Sequence, residues 1–303
     1  MNATIERFLQ YLRLERNLSK GTALLYRRDL EQWVEFMAPG GKELDLTTVT
    51  ANDIRAWVYD CSSKGNRPGT LRHKVQALRA FYRYLLRSGE VTSNPAAEVE
   101  LAKVPRSLPN FVREKTVDTV LDADIDTGDF TQVRDRLIIM LLYETGIRLS
   151  ELIGLQNSAV DVDKRELKVR GKRDKDRIIP FGDELVEWLT LYRGLRKELG
   201  PVCGNLLVTA KGKPLYSSLV YQLVHDSLAQ AGGSGKLSPH VLRHTFASTM
   251  LNHGAELNSV KELLGHESLA ATQVYTHLTL SELQHNYELA HPRALKKGGK
   301  YGH

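Results

Sequence analysis

The residues able to do chemistry gather toward the end of the chain: His240 and Arg243 in HVLRH, His266 closing LLGH, and Tyr275 nine residues further on. A phosphodiester presents two non-bridging oxygens to neutralise, a phosphorus to attack and a leaving oxygen to protonate, and these residue types can meet those needs without a metal ion. On a helix His240 and Arg243 stand at i and i+3 and point to one side, while Leu242, Phe246 and Thr249 fall opposite and face a core. The phenol of Tyr275, with an ordinary pKa of about 10, is a poor nucleophile at neutral pH unless a base and cations assist it. Arg148, in GIRLSEL, adds a further cation beside a helix start, where outward N–H groups make a phosphate seat; pairing with Glu151 is the plainer reading of the same residue. Lys172 stands in GKRDK, between two strand-like runs. A single turn lysine is ordinarily just exposed. His240 and His244 also have the i,i+4 spacing of a helical zinc site, but Val241 stands where the general base of HExxH would be.

These residues need elements to hold them. The 303 residues suggest two domains, and 42 Lys plus Arg against 36 acidic residues, net +6, favour a polyanionic partner. Cys61 and Cys203 are too few and too isolated for a disulfide framework or a CxxC metal site, which points to a reducing compartment. No signal-peptide apolar core opens the chain, and the longest apolar run, 137–143, is far too short to span a bilayer, so we expect a soluble, cytoplasmic protein with no membrane partner.

Residues 1–92 read as four helices. Ile5, Phe8, Leu9 and Leu12 mark the first and Tyr26, Leu30, Trp33 and Met37 the second. The third opens on Thr50 as N-cap with Asp53 three residues later, then buries Ile54, Trp57, Val58 and Cys61. Residues 61–89 hold seven Lys or Arg and no Asp or Glu, and on a helix beginning near Gly69 the side chains of Arg72, Arg79 and Arg83 share one face, suited to a row of phosphates. A solvated basic face is the commoner meaning of such a run; the absence of balancing acids favours DNA. Pro95, Pro105 and Pro109 punctuate a linker over 93–110, and a second domain occupies 111–303. Within it the pattern predicts an apolar helix around 131–145 ended by Gly146, a short helix carrying Leu149, Leu152 and Leu155, a hairpin of 166–170 with 176–180, helices around 183–198 and 217–231, and a last helix over 279–290 carrying Leu280, Leu283, Tyr287 and Leu289. GGSGK at 232–236 lacks the spacing and the Ser or Thr of a P-loop and reads as a loop, and the tail KKGGKYGH is basic.

Taken in order, GIRLSEL, the GK-containing segment, HVLRHTFA and LLGHESLAATQVYTH resemble the tyrosine recombinases of the phage integrase family, and the length and AHPRA ending resemble the XerC/XerD type. The resemblance spans essentially the whole chain. It implies a mainly α fold: a helical core-binding domain and a mostly helical catalytic domain with a small β-sheet, forming a C-shaped clamp on DNA. It implies that Tyr275 attacks a phosphodiester to give a 3′-phosphotyrosyl intermediate, that Arg148 and Arg243 clamp the non-bridging oxygens, and that His240 takes the tyrosine proton. His266 then donates a hydrogen bond to the phosphate, Lys172 protonates the leaving oxygen, and Glu151 orients Arg148. The family more usually has Gly after this lysine; here Arg173 follows. No cofactor, metal or ATP is implied. The implied partners are double-stranded DNA at a specific site, a tetramer on two DNA sites with the last helix docked on a neighbouring protomer, a second related recombinase, and a DNA translocase. Resolution of chromosome dimers at cell division is the implied role; a mobile-element integrase, a type IB topoisomerase-like enzyme and a catalytically silent DNA-binding regulator are the alternatives.

Overall fold

Aromatic side chains at helical spacing build the core of the first of two compact units, Met1–Ser107 and Leu108–His303. The computed structural model describes all residues except 1, 17, 19, 102–110, 171–175, 201, 266–279 and 295–303, and of residues 2, 20 and 280–284 only the backbone. Lys172, His266 and Tyr275 lie outside the described residues.

The first unit packs α1 (Asn2–Leu14), α2 (Lys20–Met37), α3 (Ala51–Ser63) and α4 (Pro68–Arg87) around Phe8, Trp33, Trp57, Phe81 and Tyr82. Phe8 and Phe81 meet edge to face at 5.3 Å between ring centres, a favoured aromatic geometry. The Thr50–Asp53 capping box opens α3: the Thr50 amide donates to the Asp53 carboxylate at 2.8 Å and the Asp53 amide donates back to Thr50 Oγ1. Pro68 supplies the first residue of α4, where its missing N–H costs nothing.

The proline-marked stretch is a connector only in part. Pro95–Glu98 form a short 3-10 turn, and Ala96 and Val99 join the core of the first unit. The packing thus runs past residue 92, because two small apolar side chains without periodicity still find the groove beside α4.

The second unit is arranged about α6 (Phe130–Thr145), whose side chains from Arg136 to Thr145 are all buried. Against it pack α5 (Glu114–Leu121), α7 (Leu149–Gly154), α8 (Asp183–Glu198), α9 (Ser217–Gln230) and α10 (Pro239–Asn252), and α11 (Leu257–Leu264) and α12 (Leu280–Ala290) pack in turn on α10. Gly146 ends α6 with φ of 58°; a Cβ there would stand 2.5 Å from the Phe246 ring, so both the left-handed turn and the close approach require glycine. A small antiparallel sheet, β1 (Val160–Asp161), β2 (Glu166–Arg170) and β3 (Asp176–Pro180), pairs Leu167 with Ile179 and Val169 with Arg177. The hairpin falls where the sequence predicts it; β1, two residues long, was not anticipated.

The end of the chain is built into this unit. Tyr287, Ala290, His291, Arg293 and Ala294 are all buried. Arg293, 1% exposed, donates to Glu184 Oε2 at 2.9 Å and to Asp118 and Asp122 at 3.0 Å each. Gly182 lets this segment close in, since a Cβ there would lie 2.7 Å from the carbonyl oxygen of Ala294. The face of α12 bearing Tyr287 therefore packs on its own unit. Leu289 is exposed, and the side chains of Leu280 and Leu283 lie outside the described residues.

Candidate active site

Three arginines from three different elements converge on the last carbonyls of α11. Arg177, on β3, donates from Nε to the Leu263 oxygen at 2.8 Å; Arg243, on α10, donates from Nη2 to the Leu264 oxygen at 2.5 Å; and Arg148, just before α7, donates from Nη2 to the Gly265 oxygen at 3.0 Å. A helix C-terminus leaves such carbonyls unpaired and carries partial negative charge, so it is a natural place to hold cations. Gly265, with φ of 61°, ends α11 and presents the third carbonyl. His266 follows directly in the chain.

Arg148 is held from its own helix as well. Its side chain donates to Glu151 Oε1 and its amide to Glu151 Oε2, both at 2.7 Å, which is the reciprocal half of a capping box. Arg177 approaches the same carboxylate from the other side, Nη1 to Oε1 at 2.9 Å and Nη2 to Oε2 at 2.8 Å. Burial alone would raise the Glu151 carboxyl; the hydrogen bonds from Arg177 and the Arg148 amide outweigh it and bring the pKa down to about 2. Glu151 is a carboxylate at any working pH.

Arg243 lies inside α10, 7% exposed, with Nη1 donating to the carbonyl of Gly146 and Nη2 to that of Leu264. Desolvation, then the charges of Arg148 and Arg177, bring its pKa down to about 10. It stays charged at neutral pH. The cluster holds three guanidinium groups and one carboxylate, leaving net positive charge in a partly buried setting. An anion with oxygens in reach of Arg148 and Arg243 would relieve that repulsion.

His240 occupies the first turn of α10, exposed, with its ring centre 6.4 Å from that of Tyr221. Partial burial, followed by His244, Lys236 and Arg243, lowers its pKa from the ordinary histidine value. It is neutral at pH 7 and able to accept a proton. Leu242, Phe246 and Thr249 are buried as the helical spacing predicts, but Arg243 is buried with them at the edge of the core, so it and His240 share a side of the helix without sharing exposure.

Arg148, Glu151 and Arg243 are thus gathered within one bonded cluster, with His240 on the same helix as Arg243. Sequence reading missed Arg177. A signal existed in DRIIP: alternation puts Arg177 on the inward face with Ile179, between exposed Asp176 and Ile178, and an inward cation requires a carboxylate partner.

The arginines of α4 divide. Arg72 and Arg83 are exposed, whereas Arg79 is half-buried and donates from Nε to the Ala96 oxygen at 3.0 Å and from Nη2 to the Val99 oxygen at 2.7 Å. The expected row of three equivalent phosphate ligands is corrected at its middle member, whose guanidinium fastens the turn after α4 to that helix.

Comparison with known proteins places this architecture. Residues 110–282 match the model of the phage integrase family, and residues 5–89 match the phage integrase N-terminal SAM-like domain. A tyrosine recombinase XerC of Mycobacterium sp. (strain JLS) is 38% identical, covering 97% of this chain and all of the relative. One from Escherichia coli O139:H28 is 36% identical over 98% of this chain and 99% of its own. Among solved structures, the fold is similar to that of XerH site-specific recombinase bound to a palindromic difH substrate, with a TM-score of 0.71 at 21% identity over 95% of this chain and 84% of that one. It is also similar to the Tn1549 transposon integrase in complex with transposon right end DNA, with a TM-score of 0.70 at 20% identity over 94% and 98%.

Proposed function

The chain belongs to the phage integrase family of tyrosine recombinases, and from that membership and the arginine cluster we infer that it cuts and rejoins double-stranded DNA at a specific site through a phosphotyrosyl intermediate. The observation that carries this reading is the cluster itself. Arg148 and Arg243, which reach the successive carbonyls of Gly265 and Leu264 immediately before His266, carry net positive charge suited to holding a phosphodiester.

The division of labour follows from the side chains. Arg148 and Arg243 take the two non-bridging oxygens and offset the charge that builds in the transition state, with Glu151 fixing the plane of Arg148. His240, neutral at pH 7, accepts the phenolic proton as Tyr275 attacks phosphorus. The bond from phosphorus to the 5′ oxygen breaks, Lys172 protonates that oxygen, and His266 donates a hydrogen bond to the phosphate. The 3′-phosphotyrosine retains the bond energy, so a 5′ hydroxyl from another strand reverses the step without ATP. Arg72 and Arg83 contact the DNA backbone from the first unit.

Curated relatives named tyrosine recombinase XerC align over nearly their whole length, and this favours resolution of chromosome dimers in the cytoplasm at cell division over integration of a mobile element. Four protomers on two DNA sites, working with a second related recombinase and under a DNA translocase, complete the reading. The test is to incubate the protein with fragmented DNA from its source, denature in SDS, recover protein-linked fragments and sequence them, with Tyr275→Phe as control. Adducts at one chromosomal locus, absent from the variant, are expected. Adducts at element ends would instead mark an integrase, scattered adducts a topoisomerase, and adducts that persist in Tyr275→Phe would overturn the assignment of the nucleophile.

A further inference from the structure

Arg177 reaches the site from β3, the strand that follows residues 171–175, Lys172 among them, in the chain. All three of its guanidinium nitrogens donate to protein acceptors: Nε to the Leu263 oxygen at 2.8 Å, Nη1 to Glu151 Oε1 at 2.9 Å and Nη2 to Glu151 Oε2 at 2.8 Å. Its side chain is 11% exposed and that of Glu151 6%, so turning Arg177 toward a ligand would strip a buried carboxylate of its two-pronged partner. Gly265 packs against the stem: a Cβ there would stand 3.3 Å from Arg177 Cδ and 3.3 Å from Nη1. Arg177 is therefore bonded to the group that orients Arg148 and to the helix end from which His266 follows.

Resting on the recombinase reading above, we infer that Arg177 is a positioning residue for strand cleavage, holding Glu151 and the end of α11 in register so that Arg148 meets the scissile phosphate in the productive geometry. It acts through Arg148 and touches no substrate. A planar fork is needed for this. Lysine carries the same charge but presents one ammonium, which cannot engage both carboxylate oxygens in parallel and reach the Leu263 carbonyl as well.

The experiment is single-turnover cleavage of DNA carrying the recovered target site, read as covalent adduct against time, alongside DNA binding and thermal unfolding of the same samples. The unmodified protein must first form a Tyr275-dependent adduct; failure there removes the recombinase reading rather than this assignment. Arg177→Lys is then expected to bind DNA within about threefold of the parent and to cleave about 100-fold more slowly, the scale of a displacement near 1 Å. On DNA whose scissile phosphate is replaced by a methylphosphonate, which lacks one anionic oxygen and asks less of an arginine clamp, that deficit is expected to shrink. Parent-like cleavage, equal loss of binding and cleavage, or a deficit unchanged on methylphosphonate would each overturn the proposal. If Arg177→Lys does not fold, Glu151→Gln, which keeps Arg177 and removes the charge it orients, must show the same split between binding and rate; parent-like cleavage by that variant overturns the proposal equally.

Discussion

The arginines of α4 in the first unit and those at the end of α11 in the second carry the same charge and are held in opposite ways. Arg72 and Arg83 stand exposed on a helix face, while Arg148, Arg177 and Arg243 are partly or wholly buried and bonded to a carboxylate or to named carbonyls. On the proposed function, the difference is one of purpose. A cation that adds affinity for a polyanion works best in solvent, where it displaces counterions and tolerates small misplacements. A cation that stabilises a transition state must be fixed before the reaction, in a setting of low dielectric, so that no reorganisation is needed when charge develops. Arg79 shows that membership of a basic face does not decide the matter: it lies in line with Arg72 and Arg83, yet its bonds go to the carbonyls of Ala96 and Val99.

The contrast can be broken most directly at Arg148. Arg148→Ala is expected to lower single-turnover cleavage by about 100- to 1,000-fold while changing DNA affinity only a few-fold; an equal fall in both, measured by adduct kinetics and DNA titration, would make it an affinity arginine like those of α4. Next in size is the acid limb of stability. The unfolded chain takes up the Glu151 proton near 4.5 and the folded one only near 2, so this carboxylate's contribution is whole above pH 4.5 and is lost as pH falls toward 2. Its size is on the order of a few kcal/mol. Thermal unfolding followed from pH 6 to pH 2 should therefore fall more steeply for the parent than for Glu151→Gln. The smallest effects sharpen the contrast within α4. Arg83→Ala should weaken DNA binding, reduce the slope of log affinity against log salt by about one unit and leave the melting temperature unchanged. Arg79→Ala leaves two carbonyls unmet and should cost about 1–3 kcal/mol of stability, read by denaturant unfolding; a salt-slope change as large as that of Arg83→Ala would restore it to the phosphate row.

Local rules made much of the fold legible. Thr50 and Asp53 announce the start of α3, Gly146 the end of α6, and the alternation of ELKVR and DRIIP the hairpin, because each of these features is decided within a few residues of sequence. What escaped depends on residues far apart in the chain. β1 exists only through its pairing with Glu166 and Leu167; Ala96 and Val99 become core only because α4 offers them a surface. Arg293 looks like one basic residue near a basic tail until Asp118, Asp122 and Glu184 are brought around it. In the site, Arg148 was legible from its place at a helix joint and Arg243 from its spacing to His240. Arg177 was not, since its partners Glu151 and Leu263 lie 26 and 86 residues away.

On the proposed function, the buried end of the chain limits how far the Tyr275 nucleophile can reach. With Tyr287, Ala290 and Arg293 seated in the second unit, α12 is a fixed post, and Tyr275 stands five positions before its first member, Leu280. At about 3.3–3.6 Å per residue the phenol-bearing Cα cannot stray more than about 18 Å from that post. If Tyr275 is the nucleophile, such a tether would present it to a phosphate held within that reach at an effective concentration in the millimolar range or above. Loosening the Arg293 anchor would dilute it, slowing cleavage while every group that touches the phosphate stayed in place.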